Sequence, residues 1–318
     1  MTALGSTAPL IVGCMNFGKR TPETEARKIV ERALSLGLTH FDTANAYVDG
    51  ESERILGRAL SGMRSKVSIA SKVGFGRVAG APEGLSNPRI LAACHETLER
   101  LGTAYLDLYY LHVPDHYTPL AESVDGIATL LERGLVQSWG VSNFASWQIL
   151  ELSMLAKERG IPGPKVSQQL YNVILRQLDI EYFKYTRAHP IKTVAYNPLA
   201  GGLLSGKYTA ESASATPPAG SRFHKNRLYT GRYWSEPMFQ RAKDTEALAQ
   251  RHGMTLIELA YAFVAGTPDI QGILLGPASV LHLEDAVSAC EKKLPDTLRA
   301  ELDALHVAWS GTDTTYAR

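Results

Sequence analysis

Short apolar runs of strand type recur along the chain and alternate with stretches whose apolar residues repeat at helical spacing. The first four runs are Leu10–Gly13, Leu38–Asp42, Val67–Lys72 and Leu106–His112. The second four are Leu135–Val141, Val166–Gln168, Thr193–Asn197 and Ile270–Leu275. Several are apolar throughout, the pattern of strands covered on both faces of a parallel sheet. Amphipathic helices are expected between them. Pro22–Leu36 carries Ala26, Ile29, Val30 and Ala33 on one stripe, with Pro22 suited to a first turn. Pro88–Leu101 does the same with Leu91, Cys94, Leu98 and Leu101, and Gly37 and Gly102 stand where helices end. Pro119–Glu132, Trp147–Glu158, Leu178–Ala188 and Leu281–Cys290 complete the alternation. Eight strand–helix units read as a closed α/β architecture, a (β/α)8 TIM barrel, with residues 1–318 forming one domain.

One segment breaks the rhythm. Leu199–Glu236 follows the seventh strand and is long and rich in Gly, Pro, Arg and Tyr. Loops of this length inside a compact domain are usually functional. Helices resume at Pro237–Arg251 and Thr255–Ala265, with a last one near Pro295–Val307.

Composition narrows the class without deciding it. The 318 residues are 45% apolar and 20% charged, with a formal net charge of +1, so there is no electrostatic reason to expect nucleic acid or an anionic membrane as partner. Three distant cysteines, Cys14, Cys94 and Cys290, have no metal-type spacing and fit a reducing compartment. Met1–Pro9 has neither a basic nor an apolar leader region, so a cytoplasmic location is expected.

In such a barrel the site lies at the C-terminal ends of the strands. Those ends present Asp42 with Tyr47 just beyond, Lys72, His112, Ser142–Asn143, Gln168 and Tyr196–Asn197–Pro198. Taken singly, an Asp there is most often a turn former and a Lys is usually solvated. Together the first four have a chemical logic. A carbonyl that accepts hydride needs a proton on oxygen, and a tyrosine delivers one if a nearby ammonium brings its pKa down toward neutrality. Hence Tyr47 is expected as the acid, Lys72 as its electrostatic partner, Asp42 as the holder of Lys72, and His112 as a hydrogen-bond donor to the substrate carbonyl.

Two other patterns were weighed. Gly201 to Lys207 matches the start of a phosphate-binding P-loop, but Tyr208 replaces the magnesium-ligating hydroxyl, and Pro217–Pro218 interrupt any following helix. His112, Asp115 and His116 lack metal-ligand spacing because Pro114 intervenes, and no metal is expected.

The segments Phe41-Asp42-Thr43-Ala44-Asn45-Ala46-Tyr47 with Gly50-Glu51-Ser52-Glu53, Ala70-Ser71-Lys72, Leu108 to His112, and Gly140-Val141-Ser142-Asn143-Phe144 come in the order of the aldo-keto reductases. The chain resembles that family from about Leu10 to Glu291. His112 to His116, Tyr196 to Tyr208 and Arg232-Tyr233-Trp234 resemble the aflatoxin-aldehyde and succinic-semialdehyde reductase branch. The resemblance implies an NAD(P)H-dependent oxidoreductase acting on aldehydes or ketones, or on alcohols and sugars in reverse. It places Ser142, Asn143 and Gln168 on the nicotinamide carboxamide and Tyr196 on its ring. Lys207 and Arg222 fall on the cofactor phosphates. Gly13, Met15, Asp42, Pro198, Leu199, Gly201, Leu203 and Gly276 line the cofactor. Ser279, His282 and Asp285 serve its adenosine end. Tyr47, His112 and Arg232 face the substrate.

The chain departs from the family at its last strand–helix turn. Ala278 and Ala286 stand where the family usually has Ser or Arg and Asn, and His282 and Asp285 replace Gln and Glu. NADPH is favoured by the resemblance, with NADH or dual use as the alternative. A monomer or homodimer is expected. A contrasting reading is a weakly active NADPH-binding regulatory subunit like the potassium-channel beta subunits.

Overall fold

The computed structural model describes residues 8–208, 212 and 215–310. Residues 1–7 of the N-terminal segment read above, and parts of the long loop (209–211 and 213–214), lie outside the described residues.

Eight parallel strands close into a barrel. In chain order they are β1 (Leu10–Gly13), β2 (His40–Asp42), β3 (Ser68–Val73), β6 (Leu108–Leu111), β7 (Trp139–Ser142), β8 (Val166–Leu170), β9 (Lys192–Tyr196) and β10 (Gly272–Leu275), and β1 pairs with both β2 and β10 to complete the ring. The skipped numbers belong to a small antiparallel hairpin, β4 (Arg77–Val78) and β5 (Ala81–Pro82), outside the barrel. Continuous apolarity is explained by burial: all four residues of β7 are buried, as are five of the six in β3. Closure brings some strands very near. A Cβ on Gly140 would sit 2.5 Å from the Val166 carbonyl oxygen, so β7 and β8 meet there only over a glycine.

The helices α1 (Glu23–Ser35), α3 (Asn87–Leu101), α4 (Leu120–Glu132) and α5 (Ser146–Glu158) fall where their periodicity places them, and Gly102 ends α3 in the left-handed conformation. So do α8 (Glu236–Arg251), α9 (Leu256–Ala265), α10 (Val280–Glu291) and α11 (Asp296–Ser310). The expected helix Leu178–Ala188 is shorter, a 3-10 turn at Gln177–Asp179 followed by α6 (Tyr182–Ala188). Besides the β4–β5 hairpin, two helices were not expected. Helix α2 (Glu51–Ala59) follows β2, and α7 (Arg227–Tyr233) stands inside the long loop, whose start is the 3-10 turn Ala200–Ser205. Gly201 and Gly202 there have positive φ, so the P-loop-like string is a tight irregular turn with no helix attached. Among the described residues no helix is long and apolar enough to cross a membrane.

Candidate active site

Side chains alternate along a strand, so Ala70, which pairs with Asp42, shares a face with Lys72. Lys72 Nζ therefore donates to Asp42 Oδ1, and also to the Thr43 carbonyl at 2.8 Å. Asp42 Oδ2 accepts from Gln168 Nε2 at 2.9 Å, which ties β8 to the same carboxylate. Lys72 is 0% exposed and Asp42 1%, so this is a fully buried ion pair completed by hydrogen bonds on both sides.

Tyr47 stands above it in the turn between β2 and α2. Val48, Asp49 and Gly50 all have positive φ there, and for a β-branched valine that is a strained conformation. Helix α2 holds the turn. Ser52 Oγ donates to the Cys14 carbonyl at 2.8 Å and shares a hydrogen bond with Thr43 Oγ1 at 2.9 Å. The buried Glu53 carboxylate accepts from Ser71 Oγ at 2.6 Å and Thr97 Oγ1 at 2.9 Å, and pairs with Arg100. The tyrosine ring meets His112 edge to face, with centroids 5.8 Å apart and planes at 80°.

The electrostatics differ from the sequence expectation in one respect. Lys72 Nζ lies 5.3 Å from the Tyr47 ring centre, yet burial and the Asp42 charge push the phenol well above its ordinary pKa. Burial is the larger cause because it disfavours the phenolate, and the Asp42 charge adds to it, so Tyr47 stays protonated. Burial also pulls Lys72 below its ordinary range, against the opposing pull of Asp42. Burial, and then Lys72, hold His112 well below its usual pKa, so it is a neutral imidazole. Its Nδ1 is buried without a hydrogen-bond partner.

Asn143 and Asn197, at the ends of β7 and β9, are both left-handed, with φ of 65° and 60°. Asparagine tolerates this conformation. Asn143 Nδ2 donates to the His112 carbonyl and to Ser142 Oγ, each at 3.0 Å, while its Oδ1 accepts from Tyr196 OH at 2.6 Å. That bond fixes the Tyr196 ring at the cavity wall. Asn197 Nδ2 is buried and unpartnered.

These groups face one cavity of about 600 Å3, within the roughly 300–1,000 Å3 usual for ligand sites. Asp42, Tyr47, His112, Ser142, Asn143, Gln168 and Tyr196 line one part of it. Gly13, Met15, Pro198, Leu199, Gly201, Lys207, Arg222, Gly276, His282 and Asp285 line the rest, and Arg232 also reaches it. Three expected residues do not face it. Lys72 lies beneath, Leu203 is packed under the 3-10 turn, and Ser279 Oγ caps α10 by accepting from the His282 amide. Asp115 is occupied by the Leu85 and Tyr117 amides and the Thr118 hydroxyl.

Asn197, one of the strand ends singled out in the sequence, is on the cavity wall, and so are Asn16, Arg20, Phe75 and Tyr229, which were not expected there. Phe75 packs on His112 with centroids 5.1 Å apart. Tyr229 donates to Asn197 Oδ1 at 3.3 Å, and its placement is set by Asn226, whose side chain accepts from the Tyr229 amide and starts α7. Arg222 donates to Met15 Sδ and Asn16 Oδ1, each at 2.9 Å. Among the described residues no carboxylate pairs with Arg20, Lys207, Arg222 or Arg232. A large cavity with unpaired cations at its wall and orphaned amide and imidazole nitrogens at its floor suits an anionic dinucleotide.

The family model for the aldo/keto reductases matches residues 9–307. The chain is 33% identical over 313 residues to aflatoxin B1 aldehyde reductase member 2 of Homo sapiens, covering 94% of this chain and 86% of the relative. It is 32% identical to human aldo-keto reductase family 7 member A3, covering 94% and 93%. A probable voltage-gated potassium channel subunit beta of Arabidopsis thaliana is 28% identical, covering 87% and 85%. The chain belongs to the aldo/keto reductase family and is an NAD(P)H-dependent oxidoreductase.

Proposed function

We propose that this protein reduces an aldehyde with NADPH, using Tyr47 as the proton donor. The observation that carries the reading is that a protonated Tyr47 and a neutral His112 meet edge to face on the cavity wall, beside Tyr196. Ser142, Asn143 and Gln168 would hold the nicotinamide carboxamide, Tyr196 its ring face, and Lys207 and Arg222 the phosphates. When bound, the reduced nicotinamide supplies hydride to the carbonyl carbon. His112 donates a hydrogen bond that orients the carbonyl oxygen. Tyr47 then gives that oxygen its proton. An alkoxide is far more basic than a phenolate, so the raised pKa of Tyr47 keeps the proton available without making its transfer uphill. Lys72 and Asp42 hold the tyrosine's surroundings at near-zero net charge until the phenolate forms, when the ammonium stabilises it.

The relatives named for aflatoxin B1 aldehyde support an aldehyde as acceptor. Arg232, at the cavity wall and without a carboxylate partner among the described residues, supports a substrate that also carries a carboxylate or phosphate. Three buried free thiols suit a reducing compartment, and the cytoplasm is our assignment.

Tyr47→Phe tests the reading. Reduction across an aldehyde panel falls by about 100-fold or more, in line with the usual worth of a general acid, while NADPH binding changes little. Undiminished reduction rejects Tyr47 as the acid. Tight NADPH binding by the unaltered protein with no turnover on any aldehyde favours a regulatory subunit instead.

A further inference from the structure

The last strand–helix turn leaves a phosphate on the adenosine ribose few donors. Ala278 and Ala286 bring none from their side chains. Ser279 Oγ accepts from the His282 amide at 3.3 Å, which leaves its single O–H as the one side-chain donor of the turn. The Val280 amide, at the N-terminus of α10, donates to Glu25 Oε1 at 3.1 Å. Two of the amides at the end of α10 are therefore engaged within the protein.

Positive charge lies across the turn instead. Asn16 Nδ2 donates to the carbonyls of Gly276 and Pro277 at 3.1 and 2.9 Å, and Thr21 Oγ1 donates to the Ala278 carbonyl at 3.1 Å. These bonds fasten the loop after β1 to the turn after β10, and Arg20 is carried between the two anchor points. Its guanidinium donates to Asn16 Oδ1, the same oxygen that Arg222 reaches at 2.9 Å. Two cations thus converge on one neutral amide oxygen, with no carboxylate partner for either among the described residues. Arg20 is half-buried, and burial together with Arg222 lowers its pKa to about 10. Lys207, Asp285 and Arg20 all act on His282, so these four side chains share one region of the cavity. Buried like charges are costly unless a counter-charge arrives.

We propose that Arg20 is the residue that selects NADPH over NADH, binding the ribose 2′-phosphate beside His282 in place of the donors that Ala278 and Ala286 lack. This rests on the dinucleotide reading of the cavity. Lys207 and Arg222 match the two negative charges of the pyrophosphate, which both cofactors carry. Arg20 is surplus for NADH and matched for NADPH. Asn16 takes one of the five guanidinium N–H groups of Arg20, which leaves the fork free for phosphate oxygens.

The test is calorimetric binding of NADPH, NADH, 2′,5′-ADP and 5′-AMP to the unaltered protein, Arg20→Gln and Arg20→Lys. In Arg20→Gln, NADPH and 2′,5′-ADP are expected to weaken about 10–100-fold, while NADH and 5′-AMP stay within about twofold. In Arg20→Lys the NADPH-to-NADH affinity ratio falls several-fold, because a point charge replaces a fork. That variant decides the matter alone if Arg20→Gln does not fold. Equal losses for both cofactors, an unchanged ratio, or a preference for NADH in the unaltered protein overturn the proposal. Binding of neither dinucleotide by the unaltered protein overturns the cofactor reading itself, a separable outcome.

Discussion

Removing either member of the Asp42–Lys72 pair isolates a charge in the barrel interior, and the two removals respond to pH in opposite directions. In Asp42→Asn the buried ammonium keeps the Thr43 carbonyl but loses its counter-charge. Its cheapest relief is to shed a proton, a direction in which burial already pulls it. At pH 7 that relief costs about 4–5 kcal/mol, because an unfolded lysine titrates near 10.4, and it falls by about 1.4 kcal/mol per unit as pH rises. In Lys72→Met the carboxylate is left with Gln168 alone, and its relief is to take up a proton. That costs about 4 kcal/mol at pH 7 and shrinks as pH falls. Both ceilings agree with the roughly 3–5 kcal/mol usual for breaking a buried pair. The sign follows from proton counts. Folded Asp42→Asn binds fewer protons than its unfolded chain, so it gains stability with pH, while folded Lys72→Met binds more and loses it. Urea unfolding followed by far-ultraviolet circular dichroism from pH 6 to 9 reads both slopes. In the double variant, Asp42→Asn with Lys72→Met, the loss is smaller than the two single losses together. Parallel pH profiles in the single variants, or fully additive losses, refute the reasoning.

The remaining predictions concern His112 and Gly57. His112 stays neutral when folded, while the unfolded chain takes up a proton below about 6.5. Its contribution to stability is therefore present above that pH and is lost on acidification at about 1.4 kcal/mol per unit. His112→Gln should flatten the stability profile between pH 6.5 and 5 by that amount, and equal slopes for the two proteins would falsify the burial argument. A Cβ on Gly57 would lie 2.5 Å from the Leu101 carbonyl oxygen, a backbone atom at the end of α3 that no rotamer change can move. Gly57→Ala should cost about 1–3 kcal/mol in chemical unfolding despite the better helix propensity of alanine, and a variant as stable as the parent sinks that expectation.

The barrel strands were legible because burial on both faces leaves an apolar run, and four strand ends displayed their chemistry openly. Edges moved where pairing rather than apolarity decides. Leu135–Val141 was expected as a strand, but pairing in the barrel begins at Trp139, with Val136 making only an isolated bridge to Leu106. Helix α2 was invisible because its buried positions are Ser52, Glu53, Ile55 and Leu56, half of them polar. Those polar groups are buried to hold the Tyr47 turn, a role that only the contacts with Cys14, Ser71 and Arg100 disclose. Arg20 and Asn16 were missed for a related reason. They sit in an irregular loop, and the partners that fix Asn16, which in turn holds Arg20, lie about 260 residues away in sequence. The lowered tyrosine pKa expected from Lys72 is not found, because burial, and then the Asp42 charge, favour the neutral phenol, and neither burial nor its depth is visible in the spacing of the residues.

The bonds from Asn16 to Gly276 and Pro277 also order events during synthesis. The strand made first, β1, has β2 on one edge, but its other edge has no partner until β10 is made, and neither has the Asn16 amide. Until the chain has passed Ala278 the nascent protein has two open sheet edges, the kind of surface that invites pairing with other chains. The same missing turn leaves Arg20 and Arg222 without the wall that faces them. A message truncated before that point yields a product that is sticky and unable to hold a dinucleotide for one and the same reason.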